Sequence, residues 1–314
     1  MRRRASLRHG ATVSAAIRHD FVHANGLRFH VAACGDGDRL ALCLHGFPEC
    51  WYSWRFQLPV LAELGYRAWA PDLRGYGRSE RLPEREDYAI ERLMDDVAGL
   101  IDAAGARQTI LLAHDWGALI AWYFAMRRLR PLQRLVVMNV PHPAVGERIW
   151  RMPRQLLRSW YVLFFQIPWL PERLLGARRQ RAIGDAFRNM AVDKNRFPDD
   201  VLQIYRDNAA APGALTAMIN YYRALVSGGG AARQGKLGYP RIQTPTLMIW
   251  GEQDSALGKE TTYGTERYVD DFTIRYLPRV SHWVQQEAPE IVNAMLRAWL
   301  TGQPVPETSE LSSG

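Results

Sequence analysis

At 314 residues, with 47% apolar and 23% charged residues, the chain is long enough to bury a large core and has the make-up of a soluble globular protein, which excludes a fibrous or disordered class. Its formal net charge of +8 comes from four arginines in Met1–His9 and from an excess of separated arginines over 142–240, with acids between them and no basic stripe, so no nucleic-acid partner is expected. The longest strongly apolar run, Trp160–Leu170, is broken by Gln166 and Pro168 and is too short to span a bilayer, and no apolar segment of secretory length follows Met1–His9.

Residues 28–34 and 40–45 read as strands, the second being Leu40-Ala-Leu-Cys-Leu-His45. Tyr66–Pro71 is a third, ending in the turn-rich Asp72-Leu-Arg-Gly-Tyr-Gly-Arg-Ser79. Apolar residues at Ile90, Leu93, Met94, Val97, Leu100 and Ile101 predict a helix over Tyr88–Ala104. A strand over Thr109–Ala113, a helix over Gly117–Arg128 and a strand over Leu135–Met138 follow. Strands alternating with helices imply a parallel sheet covered on both faces. From about His142 to Gly238 the alternation stops. Helical patterns continue there with aromatics at Trp150, Trp160, Tyr161, Phe164, Phe165 and Trp169, and no strand pattern is found. Strands resume at Thr246–Trp250 and Phe272–Leu277, a helix spans Pro289–Leu300, and the tail from Thr301 reads as polar and frayed. The expected organisation is a core domain over 1–141 and 239–300, a helical cap over 142–238 and a flexible tail over 301–314. Such an insertion, beside the carboxyl ends of the strands, can close over the crevice where ligands bind. Cys34, Cys43 and Cys50 cannot form a full disulfide set and lack metal-ligand spacing, which fits a reducing cytoplasm.

The strongest local signal is Ala113-His-Asp-Trp-Gly117, lying between a strand and a helix. It has the frame of a nucleophile elbow, with Asp115 where esterases place serine. The tight turn requires small residues two before and two after it, here Ala113 and Gly117. The helix start behind Asp115 offers backbone N–H groups and positive dipole, which favour a carboxylate or an oxyanion. Taken alone, Asp115 fits an ordinary N-cap equally well. Two further residues shift the balance. Thr246–Trp250 leads into Gly251-Glu-Gln-Asp254, and Phe272–Leu277 leads into Pro278-Arg-Val-Ser-His282. Nucleophile, acid and histidine thus sit on strand ends in the chain order of a covalent hydrolase, with His282 as base and Asp254 as its orienter.

With His45-Gly-Phe-Pro-Glu49, Asp72-Leu-Arg-Gly-Tyr-Gly77, His114-Asp-Trp-Gly117 and Ser281-His-Trp283, the chain resembles the epoxide hydrolases of the α/β-hydrolase fold, from about Phe21 to Leu300. One departure is Ala113, where most members carry glycine; a slight shift of the elbow is expected. The resemblance implies an α/β fold with a mostly parallel eight-stranded sheet, helices on both faces and an inserted helical cap. It also implies two cap tyrosines above the nucleophile, Tyr161 and Tyr222. Tyr221 is the rival for the second place, but adjacent helix positions point about 100° apart, so only one can face the cleft. Asp115 would attack an epoxide carbon while the phenols, with a pKa near about 10, protonate the ring oxygen. His282 would then activate the water that cleaves the ester. The backbone N–H groups of Phe47 and Trp116 are the implied oxyanion donors. Trp116, Phe47, Trp160, Phe164, Phe165 and Trp169 are expected to line an apolar substrate site. His45 and His114 read as structural, and Glu49 and Asp72 as scaffold or access-channel residues.

The expected partners are an apolar epoxide and water, with no metal or organic cofactor, no stable membrane association, and a monomer or homodimer in a detoxifying role. A haloalkane dehalogenase also uses an Asp nucleophile, but its usual second halide donor, an Asn after His-Gly, is replaced by Phe47. A fluoroacetate-type enzyme would carry Arg where this chain has Trp116, and an Asp nucleophile would turn an ester into an anhydride. A non-catalytic binding protein on the same fold has little reason to keep all three triad members.

Overall fold

The computed structural model describes residues 16–148 and 152–311; the arginine-rich start and Trp150 lie outside the described residues. Eight strands are present: β1 (Arg18–Ala24), β2 (Leu27–Cys34), β3 (Arg39–Leu44), β4 (Tyr66–Pro71), β5 (Gln108–His114), β6 (Arg134–Met138), β7 (Thr246–Gly251) and β8 (Phe272–Leu277). They form one sheet in the order β1-β2-β4-β3-β5-β6-β7-β8. β1–β2 and β2–β4 are antiparallel, and every pair from β4 to β8 is parallel.

Strand β1 had too little alternation to reveal it, because all of its residues but Val22 and Ala24 are exposed. The turn joining it to β2 is Asn25-Gly26, both at positive φ, the pairing a tight hairpin favours.

Helices α1 (Gln57–Glu63), α2 (Ile90–Ala104) and α3 (Trp116–Arg127) lie in the first part of the core. Between β6 and β7 come α4 (Pro143–Gly146), α5 (Pro153–Arg158), α6 (Trp160–Phe164), α7 (Leu170–Met190), α8 (Asp199–Ala210), α9 (Ala214–Leu225) and α10 (Gly230–Lys236), and no strand among the described residues. α11 (Val284–Glu287), α12 (Pro289–Leu300) and α13 (Thr308–Leu311) complete the chain. α7 is bent at Ala177–Gln180, where Arg178, Arg179 and Gln180 take left-handed φ values.

The central strands are buried on both faces, and their side chains alternate between two cores. Leu40, Leu42, Leu44, Leu111 and Ala113 pack with α2 and α3, whereas Ala41, Cys43, Ile110 and Leu112 pack with α1 and α12. α3 buries ten of its residues, Trp122 and Phe124 completely, and each large apolar side chain so buried stabilises the fold by about 1.5–3 kcal/mol. That packing holds the β5–α3 junction rigid.

The tail is held where a frayed end is expected. Val305 is buried, the Arg275 guanidinium donates to the carbonyls of Val305 (2.7 Å) and Pro306 (3.2 Å), and the Thr308 hydroxyl donates to the Tyr276 carbonyl (2.6 Å). These contacts run the segment along edge strand β8, a partner its polar composition does not disclose.

Candidate active site

Asp115 sits between β5 and α3 with φ 48° and ψ −121°, a conformation costly for any side chain but glycine's and held only because β5 and α3 are fixed on both sides. Two glycines make room for it. A Cβ at Gly117 would overlap the Leu44 carbonyl and lie 2.7 Å from the His45 carbonyl, and a Cβ at Gly46 would overlap the Asp115 carboxylate. α3 therefore approaches the end of β3 closely at Gly117, and Ala113, the small residue on the other side of the elbow, is fully buried.

The Asp115 carboxylate has two neighbours of opposite use. Its Oδ1 accepts the Phe47 backbone N–H at 2.6 Å, and its Oδ2 lies 3.5 Å from His282 Nε2. His282 Nδ1 is 2.7 Å from Asp254 Oδ2. Asp254 is itself fixed by three more donors: Asn139 Nδ2 at 2.8 Å, Ala256 N at 2.7 Å and Leu257 N at 2.9 Å. Asn139, at the end of β6, was missed in the sequence; a lone Asn after a strand carries no signal of its own. The cap reaches the same loop, since Gln155 bonds the Ala256 carbonyl (2.6 Å) and Gly258 N (2.8 Å).

Burial alone would push the Asp115 carboxyl up, but the hydrogen bond and charge of His282, with His114 and the Phe47 N–H, hold it below its ordinary value. Burial would likewise lower the His282 imidazole, yet the Asp254 charge and the bond to Asp115 outweigh it and push the imidazole up to about 10. The sign for stability follows. A folded value above the ordinary 6.5 makes this cluster stabilise the fold fully below about pH 6.5, and that stabilisation is lost as pH rises through about 10. Across that window the difference in urea midpoint between the native chain and His282→Gln should shrink; a constant difference would show that the imidazole is not held charged.

Beneath the triad lies a second polar cluster. Glu49 accepts from Gly46 N (2.8 Å), from Gln285 (3.0 Å) and Gln286 (2.9 Å), and meets His114 Nδ1 at 2.8 Å, while His114 Nε2 meets the His282 carbonyl at 2.8 Å. Glu49 and His114 are fully buried, which assigns Glu49 to the scaffold and removes it from any access channel. Asp72 is equally buried, bonding His30 (2.7 Å) and the Trp51 N–H (2.9 Å). His45 accepts the Leu73 N–H at 3.0 Å.

A cavity of about 280 Å³ opens above Asp115 and His282. Phe47, Trp160, Tyr161, Phe164, Phe165 and Tyr222 line it, and so do Pro48, Leu175, Met190 and Trp283, which the sequence did not single out. Tyr161 comes from α6 and Tyr222 from α9, with ring centroids 5.9 Å apart and nearly perpendicular. Burial, and next the charge of Asp115, push both phenols well above their ordinary value, so both are protonated donors at neutral pH. Tyr221 is fully buried and gives its hydroxyl to the Arg74 carbonyl at 2.8 Å, which takes it out of contention. Trp116 packs edge-on to Tyr222 (4.9 Å) and lines a smaller cavity of about 140 Å³ on the other side of Asp115, Tyr161 and Tyr222. Trp169 lines neither. It precedes α7 at φ 54° and is 65% exposed, because the chain turns outward there and the aromatic run does not continue into the pocket.

A family model described as alpha/beta hydrolase fold matches residues 42–289. The chain is 38% identical over 283 residues to epoxide hydrolase 4 of Homo sapiens, which covers 88% of this chain and 76% of that protein. It is 37% identical over 290 residues to the AB hydrolase superfamily protein YfhM of Bacillus subtilis, covering 91% and 99%. Among solved structures, an epoxide hydrolase of Bacillus megaterium in complex with an inhibitor is similar at a TM-score of 0.81 and 30% identity, covering 90% of this chain and all of that one. The epoxide hydrolase VrEH1 of Vigna radiata is similar at a TM-score of 0.78 and 28% identity, covering 93% and 99%.

Proposed function

The chain belongs to the epoxide hydrolases of the α/β-hydrolase fold, and from that membership and the site's geometry we propose that it adds water to an apolar epoxide through a covalent ester on Asp115. One arrangement carries the reading: a carboxylate at a strand–helix bend, under two phenols in an apolar cavity, with a carboxylate-paired histidine 3.5 Å away.

The Asp115 carboxylate attacks one epoxide carbon, the carbon–oxygen bond breaks, and its electron pair goes to the ring oxygen, which takes a proton from Tyr161 or Tyr222. The product is a hydroxyalkyl ester. Esterification removes the Asp115 charge that helps to hold the proton on His282, so that proton passes through solvent to the phenolate and leaves a neutral base. His282 then takes a proton from water as the water attacks the Asp115 carbonyl carbon. The Phe47 N–H, already directed at Asp115 Oδ1, stabilises the oxyanion, with the Trp116 N–H as second donor; losing one such donor costs about 3–4 kcal/mol in other enzymes. Collapse releases the diol, the leaving alkoxide taking the proton of the newly formed carboxyl, and restores the Asp115–His282 pair.

The cavities on either side of the three reacting side chains suit an epoxide with an apolar substituent on each carbon. No described helix is long and apolar enough to cross a membrane. The buried free thiols of Cys43 and Cys50 support a reducing compartment such as the cytoplasm.

Single turnover of styrene oxide in ¹⁸O-labelled water tests the scheme. Label is expected in the peptide bearing Asp115, with the first diol unlabelled. Label in that diol with none in Asp115 would mean direct attack by water and would end the covalent reading.

A further inference from the structure

Single apolar side chains on a surface need no explanation, but a cluster does. Seven of the twelve strongly exposed large apolar side chains among the described residues fall between Leu156 and Leu174. Leu157 is 76% exposed, Trp160 62%, Leu163 54%, Trp169 65% and Leu174 52%. They project from α5, α6 and the start of α7, and Trp160 also borders the mouth of the cavity that holds Asp115.

The charges along this segment are mostly of one sign. Arg154, Arg158, Arg173, Arg178, Arg179 and Arg181 are exposed on the same segment. Among the described residues no carboxylate pairs with Arg154, Arg173, Arg178 or Arg179; Arg158 reaches Glu260 only at 3.9 Å, and Arg181 reaches Asp185 at 3.4 Å. Glu172, the one acid in the sequence between Met152 and Arg181, is turned inward onto Arg223 at 2.6 Å. A second copy packed on this face about a two-fold axis would set arginines against arginines. An anionic lipid surface instead meets the arginines with phosphates and takes the tryptophan and leucine side chains into its headgroup boundary.

We propose that the α5–α6–α7 face docks reversibly on an anionic lipid surface, with the cavity mouth opened toward the layer in which apolar epoxides dissolve. Docking is weak and salt-sensitive, because it rests on a few side chains and screened charges. The delivery of substrate rests on the epoxide reading; the docking does not.

The test is co-sedimentation of the full chain with vesicles of phosphatidylcholine alone or mixed equally with phosphatidylglycerol. Binding is expected only to the mixed vesicles, weakening as salt is added, with the fluorescence of exposed Trp160 and Trp169 quenched by brominated acyl chains. Arg154→Glu with Arg173→Glu, and separately Leu157→Ser with Leu174→Ser, should each weaken binding by at least about tenfold. Both double variants should keep native hydrolysis of a water-miscible epoxide and lose rate on a long-chain epoxide held in the vesicles. Sedimentation is read without turnover, so failure of the catalytic scheme leaves the docking result intact. A chain that stays in the supernatant at low salt, variants that bind like the native chain, or a dimer that Leu157→Ser with Leu174→Ser dissolves would each overturn the proposal.

Discussion

His282→Gln is expected to stop the cycle at a covalent adduct. The variant keeps the elbow, the Phe47 donor and both phenols, so an epoxide still alkylates Asp115. Glutamine cannot take the proton from water, and the ester persists. Steady turnover should fall by about four orders of magnitude or more, as when a base is removed from comparable hydrolases. Trypsin cuts after Arg107 and Arg127, so the adduct appears as one epoxide mass added to peptide Gln108–Arg127. An unmodified peptide from an incubation in which diol still forms would show that Asp115 is not the nucleophile.

Removing both phenol hydroxyls should be nearly as severe, and on the other half of the reaction. Tyr161→Phe or Tyr222→Phe alone leaves one donor facing the ring oxygen, and a loss of about ten- to a hundredfold in the alkylation rate is expected. The double substitution forces an unprotonated alkoxide to form in an apolar cavity, and the loss should reach about four orders of magnitude. Rapid-quench measurement of ester formation separates this from ester hydrolysis, which should be little changed. Tyr221→Phe is the internal comparison: its hydroxyl is committed to the Arg74 carbonyl, so the variant should lose about 1 kcal/mol of stability and keep its alkylation rate. A double variant that still forms ester at the native rate would remove the tyrosines from the mechanism.

The triad was legible in the sequence because each member follows from local rules. A buried strand, a bend between small residues and a helix start place Asp115, and two later strands each end in a short loop carrying one residue of the right type. Those signals lie within a few residues of the groups they position. Strand β1 was nearly legible too, through Asn25-Gly26, but its exposed side chains hid the alternation that marks a half-buried strand.

What the sequence by itself determined is the order of strands and helices, the interruption by a helical segment, and the placement at strand ends of Asp115, Asp254 and His282, the residues proposed as nucleophile, orienter and base. Only the tertiary structure decided which of Tyr221 and Tyr222 faces the cavity, that Trp169 faces solvent, that Asn139 holds Asp254, that Glu49 is buried under His114, and that the tail lies along β8. Each depends on which distant segment covers a given face: the Arg74 carbonyl claims one phenol, and the outward turn before α7 leaves an indole bare. Periodicity shows that a side chain lies on a helix face or a strand edge, but burial and hydrogen-bond partners are set by neighbours that lie far away in the chain.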